Sequence, residues 1–287
     1  MINILITGSN GQLGSELKKL EGLFQNSSID FTDVDVLDIT DLKAISNFCS
    51  RKQYRYIINC AAYTAVDKAE SETDLARKIN VDAVRNLVEA AKINSSFLIH
   101  VSTDYVFAGK NYLPYKEDDP ISPQSVYGTT KADGEAEALK YEHSCIIRTS
   151  WLYSSFGNNF VKTILRLSKE REKLTVIFDQ IGTPTYAGDL AKAIISIVNY
   201  QEANSAKPGI YHFSNEGVCS WYDFALEIAQ LSGAKAKILP IETKDYPSPT
   251  QRPFYSVLNK SKIKNTFGIE IPHWKESLQI CLKEITQ

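Results

Sequence analysis

Two patterns of apolar and polar positions alternate along the first 150 residues. Short, mostly apolar runs, typical of strands covered on both faces of a parallel sheet, lie at 2–7, 29–33, 56–62, 97–104 and 145–150. Stretches with helical spacing separate these runs; at 80–91, for example, Val84, Leu87 and Val88 share one face. Five strand–helix units of this kind predict a parallel sheet with right-handed crossovers.

This alternation loosens after Trp151. Helical spacing returns at 160–167, 186–199, 221–231 and 274–285, with short strands at 176–178 and 210–214. We therefore predict an α/β fold, a doubly wound parallel sheet with a smaller C-terminal α/β domain. The larger domain takes residues 1–150 and roughly 183–215, and the smaller domain takes 151–182 and 216–287.

The charge balance and the hydropathy pattern exclude several classes of protein. The 287 residues carry 32 basic and 34 acidic side chains, a net charge of −2, and no basic tract. We therefore expect no nucleic-acid partner. No apolar run reaches the length of about 18 residues that spans a membrane, and the N-terminus lacks the basic region of a signal peptide.

The cysteines and histidines give no metal-binding pattern. The five cysteines are scattered and form no C-x-x-C, which favours free thiols in a cytoplasmic protein. His100 and His212 lie in strand-like runs, where a structural role is expected, and none of the four histidines has metal-ligand spacing. We assign no metal site.

A glycine triplet joins the first strand to the first helix. Gly8 permits a tight turn, Gly11 lets a pyrophosphate approach the helix N-terminus, and Gly14 lets the helix pack closely on the strand. The alternative is an ordinary strand–helix turn. Because a strand precedes the triplet and a helix follows it, the pattern predicts a Rossmann-type dinucleotide-binding domain.

Acidic residues after the second strand indicate how a dinucleotide would be bound. Asp33, at the end of that strand, is placed to accept the adenosine ribose hydroxyls, and Asp35 competes for this role. Asp38 opens the next predicted helix and could also reach the adenine. The acidic residue and the absence of a nearby Arg favour NADH over NADPH.

The sequence also contains a candidate acid–base pair. Tyr127 and Lys131 are four residues apart, so they share a helix face, and an ammonium group beside the phenol would lower its pKa. Alone, this pair could equally be two surface residues. Ser102 and Thr103, at the end of the strand at 97–104, add hydroxyls where a substrate carbonyl would lie.

These motifs resemble those of a known family. Gly8-x-x-Gly11-x-x-Gly14, Ser102-Thr103-Asp104 and Tyr127-x-x-x-Lys131 resemble the extended short-chain dehydrogenase/reductases. More specific runs at 59–70, 148–153, 179–185 and 249–253 resemble the dTDP-4-dehydrorhamnose reductase family. The resemblance implies NADPH- or NADH-dependent reduction of the 4-keto group of dTDP-4-dehydro-β-L-rhamnose, the last step of dTDP-L-rhamnose synthesis.

The resemblance also implies residue roles. Tyr127 would protonate the sugar oxygen, Lys131 would lower the tyrosine pKa and hold the nicotinamide ribose, and Thr103 would hydrogen-bond the sugar oxygen. The implied cofactor-binding residues are Gly8, Asn10, Gly11, Gln12, Leu13, Gly14, Asp33, Asp38, Ile39, Ala61, Ala62, Tyr63, Ser102, Tyr127 and Lys131. The implied substrate-binding residues are Thr103, Asp104, Tyr105, Trp151 and Arg252.

Two alternatives and two further expectations accompany this interpretation. The chain could be a reductase or epimerase of another nucleotide sugar, or a non-catalytic regulatory subunit with the same fold, as in methionine adenosyltransferase. Some members of the family are dimers with Mg²⁺ at the interface, so a homodimer is an expectation here. Glu16 and Asp189 are the only Mg²⁺ candidates, and the pattern does not support them.

Overall fold

A computed structural model describes residues 1–286. The strands are β1 (Ile2–Thr7), β2 (Ser27–Thr32), β3 (Tyr56–Asn59), β4 (Phe97–Thr103), β5 (Ser144–Thr149), β6 (Leu152–Tyr153), β7 (Lys173–Ile177), β8 (Ile181–Gly182), β9 (Thr185–Tyr186), β10 (Gly209–His212), β11 (Cys219–Ser220) and β12 (Lys237–Ile241). The helices are α1 (Gln12–Lys19), α2 (Leu42–Cys49), α3 (Val66–Ala69), α4 (Thr73–Arg77), α5 (Ala83–Asn94), α6 (Val126–Ala138), α7 (Phe160–Glu170), α8 (Ala187–Ala203), α9 (Trp221–Ser232), α10 (Ser261–Phe267) and α11 (Trp274–Thr286).

Six strands form one parallel sheet, in the order β10-β5-β4-β3-β1-β2. The chain runs outward from β1 to β2 and then crosses to β3 on the other side of β1. Ligands of open α/β sheets bind at the point where the strand order reverses, beyond the carboxyl ends of the strands. The predicted α/β fold with a doubly wound parallel sheet is confirmed, and its crevice lies beside the ends of β1 and β3.

Helices cover both faces of this sheet, as the continuous apolar strands predicted. On one face, α1 and α8 pack against alternate β1 residues, with Leu17 and Leu190 meeting Ile4 and Ile6. On the other face, α2 and α5 pack against Leu5 and the inner residues of β3 and β4. Because the inner strands are buried on both sides, their register in the sheet is strongly specified.

The helix predicted to open at Asp38 begins later. Asp38 accepts hydrogen bonds from the backbone and hydroxyl of Thr40 at 2.8 and 2.7 Å, which closes a local turn. Asp41 is the N-cap instead, because its carboxylate accepts from the backbone N–H groups of Lys43 and Ala44. Asp38 is therefore free of the helix and lines the crevice.

The helix predicted at 80–91 contains an irregular turn. α4 and α5 are joined through a π-helical turn, Lys78–Asp82, which contains Asn80. The Asn80 side chain binds the backbone of Tyr63 at 2.9 and 3.2 Å and the Thr130 hydroxyl at 3.1 Å. The turn thus connects the loop after β3 to α6, and inserted turns of this kind often occur at functional sites.

The last third of the chain builds a second core beside the sheet. β7 and β12 pair in parallel, and α7, α9 and α11 pack around them with an aromatic cluster that includes Phe224 and Trp274. The strand predicted at 210–214 is β10, the edge strand of the main sheet. Among residues 1–286, no helix combines the length and the hydrophobicity needed to cross a lipid bilayer.

We predict that Gly134→Ala destabilises the protein by about 1–3 kcal/mol, the usual range for overpacking a core contact. A Cβ at Gly134 would lie 2.1 Å from the backbone oxygen of Asn80, so α6 and the π-helical turn would have to separate. Urea denaturation measures the loss. Gly22→Ala is the matched control, because no atom lies within 4 Å of its added Cβ. Equal stability of the two variants would show that this contact is not tight.

Candidate active site

A cleft of about 1070 Å³ opens at the carboxyl ends of the sheet strands. It brings together most of the predicted site residues: Gly8, Asn10, Gly11, Gln12, Leu13, Asp33, Asp38, Ile39, Ala61, Ala62, Ser102, Thr103, Asp104, Tyr105, Tyr127, Lys131, Trp151 and Arg252. Gly14 and Tyr63 do not line it. Gly14 packs against the backbone of Gly8 and Ser9, and the Tyr63 hydroxyl points to Glu72 at 2.6 Å.

The glycine loop forms one end of the cleft. Gly8 has a φ of +69°, and a Cβ there would lie 2.5 Å from the Ala61 backbone nitrogen, so only glycine fits. Gly11 is the N-cap of α1 and provides no side-chain hydrogen bond, so the first N–H groups of the helix have no side-chain cap. Together with the positive end of the helix dipole, these groups can bind an anionic phosphate.

Charged side chains surround the part of the cleft beyond β2. Asp33 accepts hydrogen bonds from Asn10 N at 2.9 Å and Val34 N at 2.8 Å, which ties it to the glycine loop. Hydrogen bonds from Thr40 lower the pKa of Asp38, and the charge of Lys78 adds a smaller lowering. Lys78 belongs to the π-helical turn, far away along the chain, so no local pattern predicts a cation here.

Tyr127 lies in the first turn of α6, which Ser125 caps through a 3.1 Å bond to Gly128 N. Its ring packs edge-on against Tyr105, with the centroids 5.4 Å apart. Burial raises the pKa of Tyr127 above its ordinary value, and the Thr103 hydroxyl offsets part of this rise. We expected Lys131 to lower the pKa of Tyr127, and this expectation is wrong, because the pKa is raised. Loss of hydration outweighs any effect of the lysine.

Lys131 is buried one turn further along α6. Its ammonium donates to the backbone oxygen of Val101 at 2.7 Å and lies 3.4 Å from Nε2 of His100. Burial lowers the pKa of Lys131 to about 8, and the negative charge of Glu135 opposes this change. Lys131 is thus held on β4, and its side chain faces the same cleft as Tyr127.

Asp104 carries a carboxylate with unusual proton affinity. It is 2% exposed and follows β4; Oδ1 accepts from the Thr103 hydroxyl at 3.0 Å, while Oδ2 has no partner. Burial raises the pKa of Asp104 to about 6. Two more buried polar atoms without partners, Ser102 Oγ and Thr149 Oγ1, belong to residues that line the cleft. Buried polar atoms of this kind are expected where a ligand completes their hydrogen bonds.

The opposite wall of the cleft is aromatic. Trp151 stacks on Trp221 with 3.6 Å between ring centroids and 8° between planes, and Phe160 packs against Trp221. Trp151 has a φ of +48°, which is rare for a bulky residue and is typically found at functional sites. A Cβ at Gly182 would lie 2.6 Å from the Trp151 ring, so Gly182 leaves the room that this indole needs.

Arg252 closes one side of the cleft. Its Nη2 donates to Asp67 at 2.9 Å, while its Nε is buried without a partner. The contact joins the proline-rich loop at 246–253 to α3, and it places an incompletely paired guanidinium beside the cleft. Arginine in such a position can bind a phosphate or another anion.

Glu16 and Asp189 lie apart from this cleft and are already hydrogen-bonded. Glu16 accepts from Ser154 at 2.6 Å, and Asp189 accepts from Asn215 at 2.9 Å. Within residues 1–286, no group of three or more His, Cys, Asp and Glu side chains could hold a metal ion.

Trp221, Phe160 and Lys78 line the cleft, although the sequence patterns did not indicate them. His100, expected to be structural, lies beside Lys131 and not among the lining residues. One signal for Trp221 was available. Ser220 and Asp223 form a capping box that places the start of α9 at Trp221. The direction of the indole depends on its contact with Trp151, which no local pattern contains.

We predict that Asp104→Asn stabilises the protein by about 1–3 kcal/mol at pH 8. The folded state binds this proton more tightly than the unfolded state, so the carboxylate costs stability as the pH rises from about 4 to 6. Asparagine does not titrate, and its advantage should vanish near pH 4. Denaturation of both forms across this range measures the difference. A pH-independent difference would contradict the raised pKa.

Comparisons with known proteins cover nearly the whole chain, and they agree on one family. The family described as RmlD substrate binding domain matches residues 2–287. The chain is 44% identical over 291 residues to dTDP-4-dehydrorhamnose reductase of Aggregatibacter actinomycetemcomitans, covering 97% of this chain and 98% of that protein.

Two solved structures share the fold closely. One is a dTDP-4-dehydrorhamnose reductase, an RfbD ortholog, from Clostridium acetobutylicum ATCC 824, with a TM-score of 0.94, 43% identity and 100% of both chains covered. The other is dTDP-4-dehydrorhamnose reductase from Bacillus anthracis str. Ames in complex with NADP, with a TM-score of 0.92, 38% identity, and 99% of this chain and 100% of that chain covered. The chain belongs to the RmlD substrate binding domain family.

Proposed function

We propose that this protein is a dTDP-4-dehydrorhamnose reductase that converts dTDP-4-dehydro-β-L-rhamnose to dTDP-L-rhamnose with NADPH or NADH. One observation carries the proposal: the glycine loop, the hydroxyl groups of Thr103 and Tyr127, and the buried Lys131 line the same cleft. The full-length similarity to dTDP-4-dehydrorhamnose reductases supports the same substrate.

The cleft residues fit a dinucleotide. Gly11 leaves the backbone at the start of α1 accessible to a pyrophosphate, and Asp33 and Asp38 offer acceptors for ribose and adenine groups. Asn10, Gln12, Leu13, Ile39, Ala61, Ala62 and Ser102 complete the proposed cofactor surface, with Gly8 and Gly14 setting the loop conformation. When bound, the nicotinamide supplies the hydride for carbonyl reduction.

Tyr127 is the proposed acid. Reduction of a carbonyl leaves an alkoxide, a much stronger base than water, so a tyrosine that keeps its proton at neutral pH can still protonate it. The raised pKa of Tyr127 ensures that the phenol is protonated before the reaction. Thr103, beside it at the end of β4, has a hydroxyl that can turn from Asp104 to donate to the same oxygen and fix its position.

Lys131 is proposed to hold a ribose hydroxyl of the cofactor and to stabilise the Tyr127 phenolate that remains after proton transfer. Its bond to Val101 O orients the ammonium toward the cleft. Asp104, Tyr105 and Trp151 form the proposed sugar site, and Arg252 is proposed to bind an anionic part of the nucleotide sugar.

We extend the proposal to the organisation of the protein. Residues 1–150 and roughly 183–215 form the dinucleotide-binding domain, and 151–182 and 216–287 form the substrate domain. The five free cysteines favour a cytoplasmic location. A homodimer and the absence of a nucleic-acid partner stay predictions. The alternatives of another nucleotide sugar or a regulatory subunit are tested by the assays below.

We predict that Tyr127→Phe lowers kcat by about 100-fold or more, the loss expected for a general acid. NADPH binding, measured by fluorescence titration, should stay close to that of the wild type, because the ring remains. Tyr112→Phe is the matched control, since Tyr112 is 84% exposed and away from the cleft. Near wild-type turnover of Tyr127→Phe would contradict the acid assignment.

The substrate is tested by NADPH and NADH oxidation with dTDP-4-dehydrorhamnose and, in parallel, with a GDP-linked 4-keto sugar. We expect oxidation with the dTDP sugar and little with the GDP sugar. Activity with the GDP sugar alone would favour a different nucleotide-sugar enzyme. Cofactor binding without oxidation of either substrate would favour the regulatory alternative.

We predict that Lys78→Ala weakens NADPH binding by about 10-fold and leaves NADH binding little changed. Lys78 lies on the same wall as Asp38, and we propose that its ammonium contacts the 2′-phosphate that only NADPH carries. Dissociation constants from fluorescence titration give the ratio. Lys92→Ala is the control, because Lys92 is an exposed α5 lysine outside the cleft. Equal losses for both cofactors would exclude a phosphate-specific contact.

A further inference from the structure

A chain of buried polar groups lies directly behind Lys131, and the proposed reaction does not use it. Thr7 donates to Asn59 Oδ1 at 2.8 Å, and Asn59 Nδ2 lies 3.0 Å from His100 Nδ1. The other ring nitrogen of His100, Nε2, lies 3.4 Å from Lys131 Nζ. Thr7, Asn59, His100 and Lys131 are each no more than 2% exposed, so this chain is almost entirely shielded from bulk water.

The donors along this chain determine which nitrogen of His100 carries hydrogen. The backbone N–H of Ala61 donates to Asn59 Oδ1 at 3.1 Å, and a backbone N–H cannot accept. The amide NH₂ of Asn59 must therefore face His100, and Nδ1 of His100 must accept from it. Burial and the charge of Lys131 move the pKa of His100 well below its ordinary value, so the ring is neutral. A neutral imidazole with an accepting Nδ1 carries its hydrogen on Nε2.

This tautomer places an N–H against the end of Lys131. An ammonium group has only donors, so Lys131 in its charged form would meet His100 donor to donor. The neutral amine has a lone pair and could accept from Nε2–H. Two donors at this distance in a buried site repel each other, since no water screens them.

We propose that His100 is a positioning residue whose N–H, fixed by Asn59, faces Lys131 and stabilises the neutral amine of that lysine relative to the ammonium. This inference rests on the proposed reductase site, because it assigns the partner that sets the charge state of Lys131. His100 touches neither the proposed substrate nor the cofactor surface and acts through Lys131 alone.

Other charged and titratable groups around Lys131 act in known directions. Glu135, one turn further along α6, favours the ammonium, although Arg148 neutralises much of its charge at 2.8 Å. Cys60, after β3, would favour the ammonium only as a thiolate, and burial raises the pKa of Cys60 to about 12. Tyr127 on the same helix is protonated at neutral pH. His100 is therefore the neighbour whose hydrogen bonding opposes the charge of Lys131.

The consequence is that Lys131 can change its charge state near neutral pH. A lysine with an ordinary pKa near 10 would keep its proton throughout the working range. Burial lowers the pKa of Lys131 to about 8, and an opposing N–H acts in the same direction. The pH at which the reductase activity falls on the alkaline side should therefore change when His100 is replaced.

The first test uses the wild-type protein and no activity assay. With only four histidines, ¹⁵N-histidine NMR resolves the ring nitrogens, and His100 is assigned from its loss in His100→Gln. We expect His100 to be neutral with hydrogen on Nε2 from pH 6 to pH 9. A neutral ring with hydrogen on Nδ1, or a charged ring, would overturn the proposal, whether or not the protein proves to be a reductase.

The second test follows Lys131 itself. In ¹³Cε-lysine NMR, with Lys131 assigned by Lys131→Met, His100→Gln should raise the Lys131 titration midpoint by about one pH unit. The glutamine carbonyl can turn toward the ammonium and accept, which the fixed imidazole cannot. The alkaline limb of kcat/KM with the dTDP sugar should move in the same direction.

Asn59→Asp provides an independent variant. A carboxylate accepts from Nδ1–H, so it should switch the His100 tautomer and turn the lone pair of Nε2 toward Lys131. Asn59→Asp should raise the titration midpoint of Lys131 more in the otherwise wild-type protein than in the His100→Gln variant, where only the added negative charge acts. Equal rises in the two backgrounds would show that the tautomer has no part in the effect.

The matched control is His212→Gln. His212 is also fully buried in the same sheet, but its Nδ1 faces the backbone oxygen of Tyr115, and it lies outside the cleft. Both glutamine variants should lose thermal stability, and only His100→Gln should move the Lys131 midpoint and the alkaline limb. Loss of stability in both with no shift in either would mean that His100 is a structural residue only.

Discussion

The buried ion pair between Glu135 and Arg148 fixes the helix on which the proposed chemistry depends. The two side chains meet at 2.8 Å and are each about 2% exposed, joining α6 to β5. Removing one partner from a pair of this kind typically costs about 3–5 kcal/mol, because the remaining charge is left without water. Since Tyr127 and Lys131 lie on the same helix, the ion pair helps to hold the element that carries both side chains.

The cleft combines this rigid helix with polar groups that the protein leaves unpaired. Ser102, Asp104, Thr149 and Arg252 each keep a buried polar atom without a partner. Such atoms lower the stability of the free protein, and hydrogen bonds to a polar ligand can offset this cost in free energy. The aromatic wall opposite is already packed, because Trp151 stacks on Trp221 and lies close to Gly182. Recognition therefore combines a preformed hydrophobic wall with unsatisfied hydrogen-bonding groups.

Much of the fold could be predicted, because its determinants are local. Continuous apolar runs indicate strands buried on both faces, and the glycine triplet indicates a strand–helix turn for phosphate. The errors arose where side chains compete for the same backbone groups. Asp38 and Asp41 could both cap a helix, and only the bonds made by Thr40 and Lys43 decide between them. The expected lowering of the Tyr127 pKa was wrong for a different reason, because burial, which is a tertiary property, raises this pKa.

Periodicity and backbone freedom are properties of short segments, so the α/β architecture, the glycine loop and the tyrosine–lysine spacing can be predicted from the amino-acid order. The environment of these groups depends on how the segments pack together. The tertiary structure placed Lys78 beside Asp38, Trp221 on Trp151, and the Asn59–His100 pair behind Lys131. Hydrogen-bond partners and desolvation depend on residues distant in the chain, and these contacts are what set the proton affinity of Tyr127 and Lys131.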